Sequence, residues 1–286
     1  MELNFLTSIL LILTLFVTML GMGISLTLDD FKRVLIEPKG VIFGLIAQLI
    51  MLPLVGFILA NIFYLSPELA VGLMILTACP GGPLSNVITY LVKGNVALSI
   101  TLTAVSSLIT IFSIPLIVNF SMKSFMGQGV TLELNFVTTV LQITVVTLIP
   151  ISIGMLLRYH MFDFAIKVQK IVKWLALFFL AVMIVGLLVK ERNNYANFFL
   201  QVGTVTLALN ILTMALGYSL STLFKLDQAS SKSITAEVGI QNAALAMAIA
   251  SSPTLLNMPT MAIPAAVYGF IMYVTGAAFV WITGAR

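Results

Sequence analysis

Charge is the scarcest thing in this sequence. Lys, Arg, Asp and Glu together make up 8% of its 286 residues, against about 25% in a soluble domain. So few charges cannot cover a surface that faces water, so most of the surface must face lipid. Cysteine is almost missing: Cys79 stands alone and excludes a disulfide framework within the chain. Histidine is reduced to His160, so no metal-binding His pair exists. With no Ser/His/Asp set and no phosphate loop, an intramembrane enzyme has little support. The apolar runs are continuous rather than alternating, which excludes a membrane β-barrel. No long hydrophilic segment offers a soluble signalling domain. The net charge of +4 bears on topology rather than on nucleic acid, and no nucleic-acid or obligatory protein partner is expected.

What is present is hydrocarbon. Hydrophobic residues make up 60% of the chain and the mean hydropathy is +1.14. The composition predicts an all-α polytopic membrane protein. A crossing helix needs about 20 apolar residues, and nine stretches qualify: 5–27, 39–64, 68–92, 95–121, 133–158, 165–189, 196–224, 229–251 and 260–284. The first has no basic flank before it and no small-residue cleavage site after it, so it reads as a span rather than a signal peptide. In the sixth, Lys167, Lys170 and Lys173 can snorkel to the headgroups. Eleven of the 14 basic residues fall on one set of loops and ends: Lys32, Arg33, Lys39, Lys93, Arg158, the three just named, Lys225, Lys232 and Arg286. Lys123, Lys190 and Arg192 fall on the other. Positive-inside bias then puts the N-terminus outside and the C-terminus in the cytoplasm.

Nine of the ten acidic residues lie at span ends or in loops, among them Glu2, Glu68, Glu133 and Glu191 on the outer side. Glu237 is left at membrane depth, where a carboxylate costs about 2.5–3.5 kcal/mol on insertion scales and marks a functional site. No Lys, Arg or His sits mid-span to pair with it. A proton or a bound cation remains, and both stay open. Thr235, Gln241 and Asn242 offer neutral oxygens nearby, a set that suits a hard monovalent ion such as Na⁺ rather than a soft transition metal. A second interruption lies in "TACPGGPLSNVITYL", 77–91. Two prolines and two glycines there cannot continue a straight helix, and unwound backbone at that depth must be buried in protein or line a cavity. Its carbonyls, with Ser85 and Asn86, become ligands. Two interrupted spans, the third and the eighth, at corresponding places in two inverted halves point to the binding site of a secondary transporter. A channel is disfavoured by the single carboxylate and the lack of polar rings.

Other features read as structure. Gly40 and Gly44 have helix-packing spacing. Cys79 reads as a small packed residue, "DDFKR" (29–33) as a solvated helix end, and His160 as a solvated loop residue.

"VIFGLIAQLIMLP" (41–53), "CPGGPLSNVITYLVKGNVALSITLTAVSSL" (79–108) and "ITAEVGIQNAALA" (234–246) resemble the bile acid:sodium symporter family. The chain resembles the nine-span arrangement of its animal members rather than the ten spans of many bacterial ones. The resemblance implies a panel of spans one, five and six (residues 1–36 and 125–194) and a core of spans two to four and seven to nine (37–124 and 195–286), with the broken spans crossing in the core. It implies two coupling Na⁺ ions. The first site would comprise Ser85, Asn86, Ser99, Thr103 and Glu237. The second would comprise Gln48, Glu237, Gln241 and the carbonyls of Val238 and Ile240. Ser99 and Thr103 are four apart and share a helix face. An organic anion would lie between the domains near Pro83, Asn86, Asn242 and Tyr273. Pro83 stands where many relatives have threonine, and Met272 and Tyr273 where they have a His-Asn pair, which alters the substrate cavity and leaves the cation sites untouched. The expected function is Na⁺-coupled symport of a bile-acid-like or small carboxylate anion across a bacterial inner membrane. The alternative is a proton-coupled carrier with Glu237 as the protonatable group.

Overall fold

The structure, a computed structural model of the chain, describes residues 2–127, 134–190 and 195–284. Glu133, Glu191, Arg192 and Arg286 of the charge pattern lie outside the described residues. All regular elements among those described are helical, and helix occupies each of the stretches predicted from the apolar runs.

The first stretch is α1 (Glu2–Ser25), followed by α2 (Leu28–Ile36). The two meet at 62°. Thr27 starts the second, with its N–H and hydroxyl both held by the Asp30 carboxylate at 2.7 and 2.8 Å, a reciprocal cap that opens a new helix. The second stretch runs from α3 (Pro38–Ile46) through a π-helical turn (Ala47–Met51) into α4 (Leu52–Ile62). Pro53 lacks the N–H that a regular helix would aim at the carbonyl of Leu49, and the wider turn absorbs the loss. The third stretch is split into α5 (Pro67–Ala78) and α6 (Pro83–Leu91). Then follow α7 (Val96–Met126), α8 (Phe136–His160), α9 (Phe162–Lys190) and α10 (Tyr195–Leu223). The eighth stretch is split into α11 (Gln228–Gly239) and α12 (Ala243–Ser251), and a 3-10 turn (Pro259–Ala262) leads into α13 (Ile263–Gly284).

Among the described residues, five stretches are long and apolar enough to cross a membrane, or six if the bent α1–α2 pair counts as one. Their outer faces are apolar: Leu54, Ile58, Phe112, Leu116 and Phe120 are each more than half exposed, which in water would be an aggregating surface and in a bilayer is the natural one.

Two expectations need correcting. "DDFKR" is more than a solvated helix end, because Asp30 is buried and its carbonyl accepts a 2.9 Å bond from Thr101 of α7. His160 is not in a loop; it closes α8, exposed, edge-on to Tyr159.

α1 packs chiefly against α8 and α9, whereas α5, α6 and α7 pack with one another and with α11 or α13. Small residues allow the closest approaches. At Gly23 a Cβ would run into the backbone of Ile151, and at Gly154 into that of α1. Gly40 and Gly44 lie against Leu98 and Leu102 of α7, the packing role that their spacing indicated.

Candidate functional site

The two breaks meet. After α5 the chain runs extended through Cys79 to Gly82, and after α11 through Ile240 to Asn242. Prolines 80 and 83 end one helix and start the next, with Pro83 at the first helical position. The two short segments meet in one antiparallel bridge between Gly81 and Gln241. Gly82 N–H donates to the Ile240 carbonyl at 2.9 Å, and Asn242 N–H to the Pro80 carbonyl at 3.0 Å. Each break thus satisfies the backbone groups that the other leaves open, which removes the penalty of unwound backbone at this depth.

Neighbouring spans cap the loose helix ends. Gln48, carried by the π turn, donates through Nε2 to the Cys79 carbonyl (3.1 Å). Asn210 of α10 and Tyr268 of α13 both donate to the Gly239 carbonyl, at 2.7 and 2.8 Å. Sequence reading had not singled out Asn210 or Tyr268. Asn210 carried the same signal as Glu237, a lone polar side chain in the middle of an apolar span.

Glu237 lies on α11 and is wholly buried. Its Oε2 is 2.6 Å from Ser85 Oγ of α6 and 3.0 Å from Ser99 Oγ of α7. Its Oε1 is 2.6 Å from Thr103 Oγ1. Thr89 donates to Ser99 Oγ at 3.2 Å and extends the hydroxyl cluster. Gly81 has to be glycine here, because a Cβ would occupy the space of the Glu237 carboxylate. The ion pairs among the described residues, Lys32–Asp29 and Arg33–Glu37, lie elsewhere. Asn86 Oδ1 is buried with no hydrogen-bond partner among the described residues.

A second cluster adjoins the first. Gln48 Nε2 donates to Gln241 Oε1 at 2.8 Å, and Gln241 Nε2 donates to the Val238 carbonyl at 2.7 Å. The Val238 carbonyl therefore meets the two amides, while the Ile240 carbonyl accepts from Gly82 N–H. Thr235 does not join: its hydroxyl bonds back to Ser231 on its own helix. Asn242 caps α12 through Oδ1 on Leu245 N–H (3.1 Å), leaving Nδ2 buried and unpaired.

Two cavities flank the crossover along α1. One, of about 340 Å³, is bounded by Thr18 and Ser25 of α1, Pro83 and Asn86 of α6, Arg158 of α8 and Gln169 of α9. The other, of about 500 Å³, is more apolar and lies between Leu15 and Phe16 of α1, Val145 and Ile149 of α8, and the end of α12. Pro83 and Asn86 thus face a cavity, while Asn242 and Tyr273 line neither of these two. Arg158 and Gln169 had no local signal, because only the packing of α8 and α9 on α1 brings them to the wall.

A lone buried carboxylate ringed by hydroxyls, beside paired amides and backbone carbonyls, gathers oxygens of the kind that a hard cation takes. Comparison with known proteins finds relatives named for sodium-dependent transport. The chain is 34% identical over 252 residues to a probable chloroplastic sodium/metabolite cotransporter of Oryza sativa subsp. japonica, covering 87% of this chain and 60% of that protein. It is 32% identical to an uncharacterized sodium-dependent transporter of Bacillus subtilis, covering 88% and 76%. The hepatic sodium/bile acid cotransporter of Rattus norvegicus is 32% identical, covering 85% and 67%. The chain thus spans about three fifths of the rice relative's length and about three quarters of the bacterial one's. The profile described as the Sodium Bile acid symporter family matches residues 12–198, more than half of the chain, and with relatives at this identity along most of its length the chain belongs to that family.

Proposed function

We propose that this protein is a Na⁺-coupled symporter of an organic anion, and the observation that carries this is the Glu237 cluster at the crossover. The carboxylate has no basic partner among the described residues, so its charge calls for a proton or a cation. The surrounding oxygens fit a cation. The hydroxyls of Ser85, Ser99 and Thr103 now donate to Glu237. Each can turn its hydrogen away and offer a lone pair, and Asn86 Oδ1 adds an unpaired oxygen. That is the first ion site. At the second, the Gln241 amide now reaches Val238 through its nitrogen. Turning its oxygen inward, with Gln48 Oε1 and the carbonyls of Val238 and Ile240, completes a second shell of oxygens. Glu237 belongs to both.

The finer architecture is part of the same proposal. The chain has nine crossings, with spans three and eight related by inverted repeats. The panel is α1, α8 and α9 (within 1–36 and 125–194), and the core is the remainder (37–124 and 195–286). The packing of α1 on α8 and α9 supports this division. The protein lies in the bacterial plasma membrane with its N-terminus outside. Filling the ion sites ties α6, α7 and α11 to the crossover and so fixes the wall next to Pro83 and Asn86. Ions and anion then favour the same conformation, which is coupling by differential affinity. An inward potential adds about 2.3 kcal/mol per net charge per 100 mV.

The test is uptake of labelled carboxylates and sulfonates into proteoliposomes with an imposed Na⁺ gradient. Uptake should require the gradient. Uptake that follows a pH gradient and ignores Na⁺ would move the coupling role to a proton on Glu237.

A further inference from the structure

We infer that Arg158 sets the sign of charge that the 340 Å³ cavity accepts, by receiving the carboxylate or sulfonate of a small organic anion on its guanidinium. That the anion is transported rests on the symport reading; the charge preference of the cavity does not.

Among the described residues that line this cavity, Arg158 is the one charged side chain. No Asp or Glu faces it there, and no carboxylate among the described residues lies within ion-pair distance of it. Its Nη1 donates to the Ile24 carbonyl in the last turn of α1, at 3.0 Å. Among the described residues that is its one hydrogen bond, made by a planar group with five N–H donors. A half-buried guanidinium with only a backbone partner gains most from an anion that takes two of its donors at once. The rest of the wall is neutral: Thr18, Ser25, Gln169 and Asn86 can hydrogen-bond, and Val17 and Val87 are apolar. The volume is at the low end for small-molecule pockets, which run about 300–1,000 Å³, so the fitting anion is compact.

Asn86 joins this cavity to the ion cluster. It lines the wall, and its Oδ1 is the unpartnered oxygen near the start of α6, next to Ser85. A simpler role for Arg158, fastening the end of α1 against the helix dipole, uses one N–H and puts no charge preference on the cavity. The two roles are therefore separable.

The experiment measures the field in the cavity directly and needs no known substrate. Val87→Cys is placed in a Cys79→Ala background in phosphatidylcholine nanodiscs. Its modification by an anionic (sulfonatoethyl) methanethiosulfonate is compared with that by a cationic (trimethylammonioethyl) one, each referenced to an exposed Leu35→Cys. The anionic reagent should be favoured by about tenfold, as for a cleft lined by one sign of charge. Arg158→Gln should abolish the preference, and Arg158→Lys should keep much of it. Gln169→Glu adds a carboxylate to the same wall without removing Arg158; it should lower the preference too, and it covers the case in which Arg158→Gln does not fold. A preference unchanged in Arg158→Gln or Gln169→Glu overturns the inference. So does a preference lost when phosphatidylglycerol replaces phosphatidylcholine, since Arg158 would then be holding a lipid headgroup. Loss of preference in Arg158→Gln together with Na⁺-independent uptake by the wild type would uphold this inference and reject symport. An unchanged preference with Na⁺-driven uptake would do the reverse.

Discussion

At the scale of single residues the site turns on how closely Gly81 approaches Glu237. The carboxylate occupies the volume that a Cβ at position 81 would need, so Gly81→Ala must displace either the crossover or the acid. The expected outcome is a folded protein that has lost its stabilisation by Na⁺, read as a thermal shift in NaCl against choline chloride; an unaltered shift would show that the close approach is irrelevant. Ser85→Ala and Thr103→Val remove single oxygens from the carboxylate. Hydrogen bonds to charged groups contribute about 1.5–3 kcal/mol, so each variant should weaken apparent Na⁺ affinity by about tenfold or more in a Na⁺ titration. Affinity unchanged in both would take the cation away from Ser85 and Thr103. Glu237 was legible in the sequence because a carboxylate in an apolar run is an anomaly in any fold. Ser85 was legible from the break that holds it, but its other two hydroxyl partners were not: Ser99 and Thr103 share a face of α7, and serine and threonine bond back to their own helices so often that such a face carries no signal by itself. Family resemblance supplied them, as it supplied Gln48.

At the scale of elements, the helices followed from runs of apolar residues, and the breaks from "PGGP" and from the polar cluster around Gly239. What the breaks do was not legible, since Gly81 and Gln241 pair although six helices lie between them in sequence. The π turn was also missed, although Pro53 marks it. Pro53→Ala restores the missing N–H and lets the segment relax toward a regular helix, which turns Gln48 away from Cys79 and Gln241. Thermal stability should be kept or raised while Na⁺ affinity falls; retained affinity would show that the π turn does not position Gln48. The caps on Gly239 make a contrasting case. Tyr268→Phe leaves Asn210 as a donor and should cost about 1 kcal/mol, while Asn210→Leu with Tyr268→Phe leaves a buried carbonyl open and should cost more than either change alone. Thermal unfolding in detergent reads this, and equal midpoints for single and double variants would contradict it.

At the scale of the whole molecule, the few charges sort to the ends of the helices and the apolar faces turn outward, so composition alone indicated a membrane protein. The count of crossings is less direct. Among the described residues, length and apolarity mark five or six stretches, and the split spans contain half-helices too short to cross alone. Nine crossings place Lys123 and Lys225 on opposite faces. Both are exposed, so Lys123→Cys and Lys225→Cys in the Cys79→Ala background should react with an impermeant maleimide from opposite sides of intact, oriented membranes. Labelling of both from one side would break the inverted arrangement. Under the proposed symport, the two cavities bordered by α1 are where movement of the core against α1, α8 and α9 would open the site to one side and then the other. All of this depends on a buried carboxylate being neutralised by sodium. The most direct measurement is calorimetric titration of Na⁺ into the purified protein and into Glu237→Gln, which keeps the side chain's shape and removes its charge. The wild type should bind Na⁺ and ignore K⁺ at equal ionic strength, and Glu237→Gln should show no Na⁺ binding. A Glu237→Gln protein that binds Na⁺ as tightly as the wild type would contradict the account.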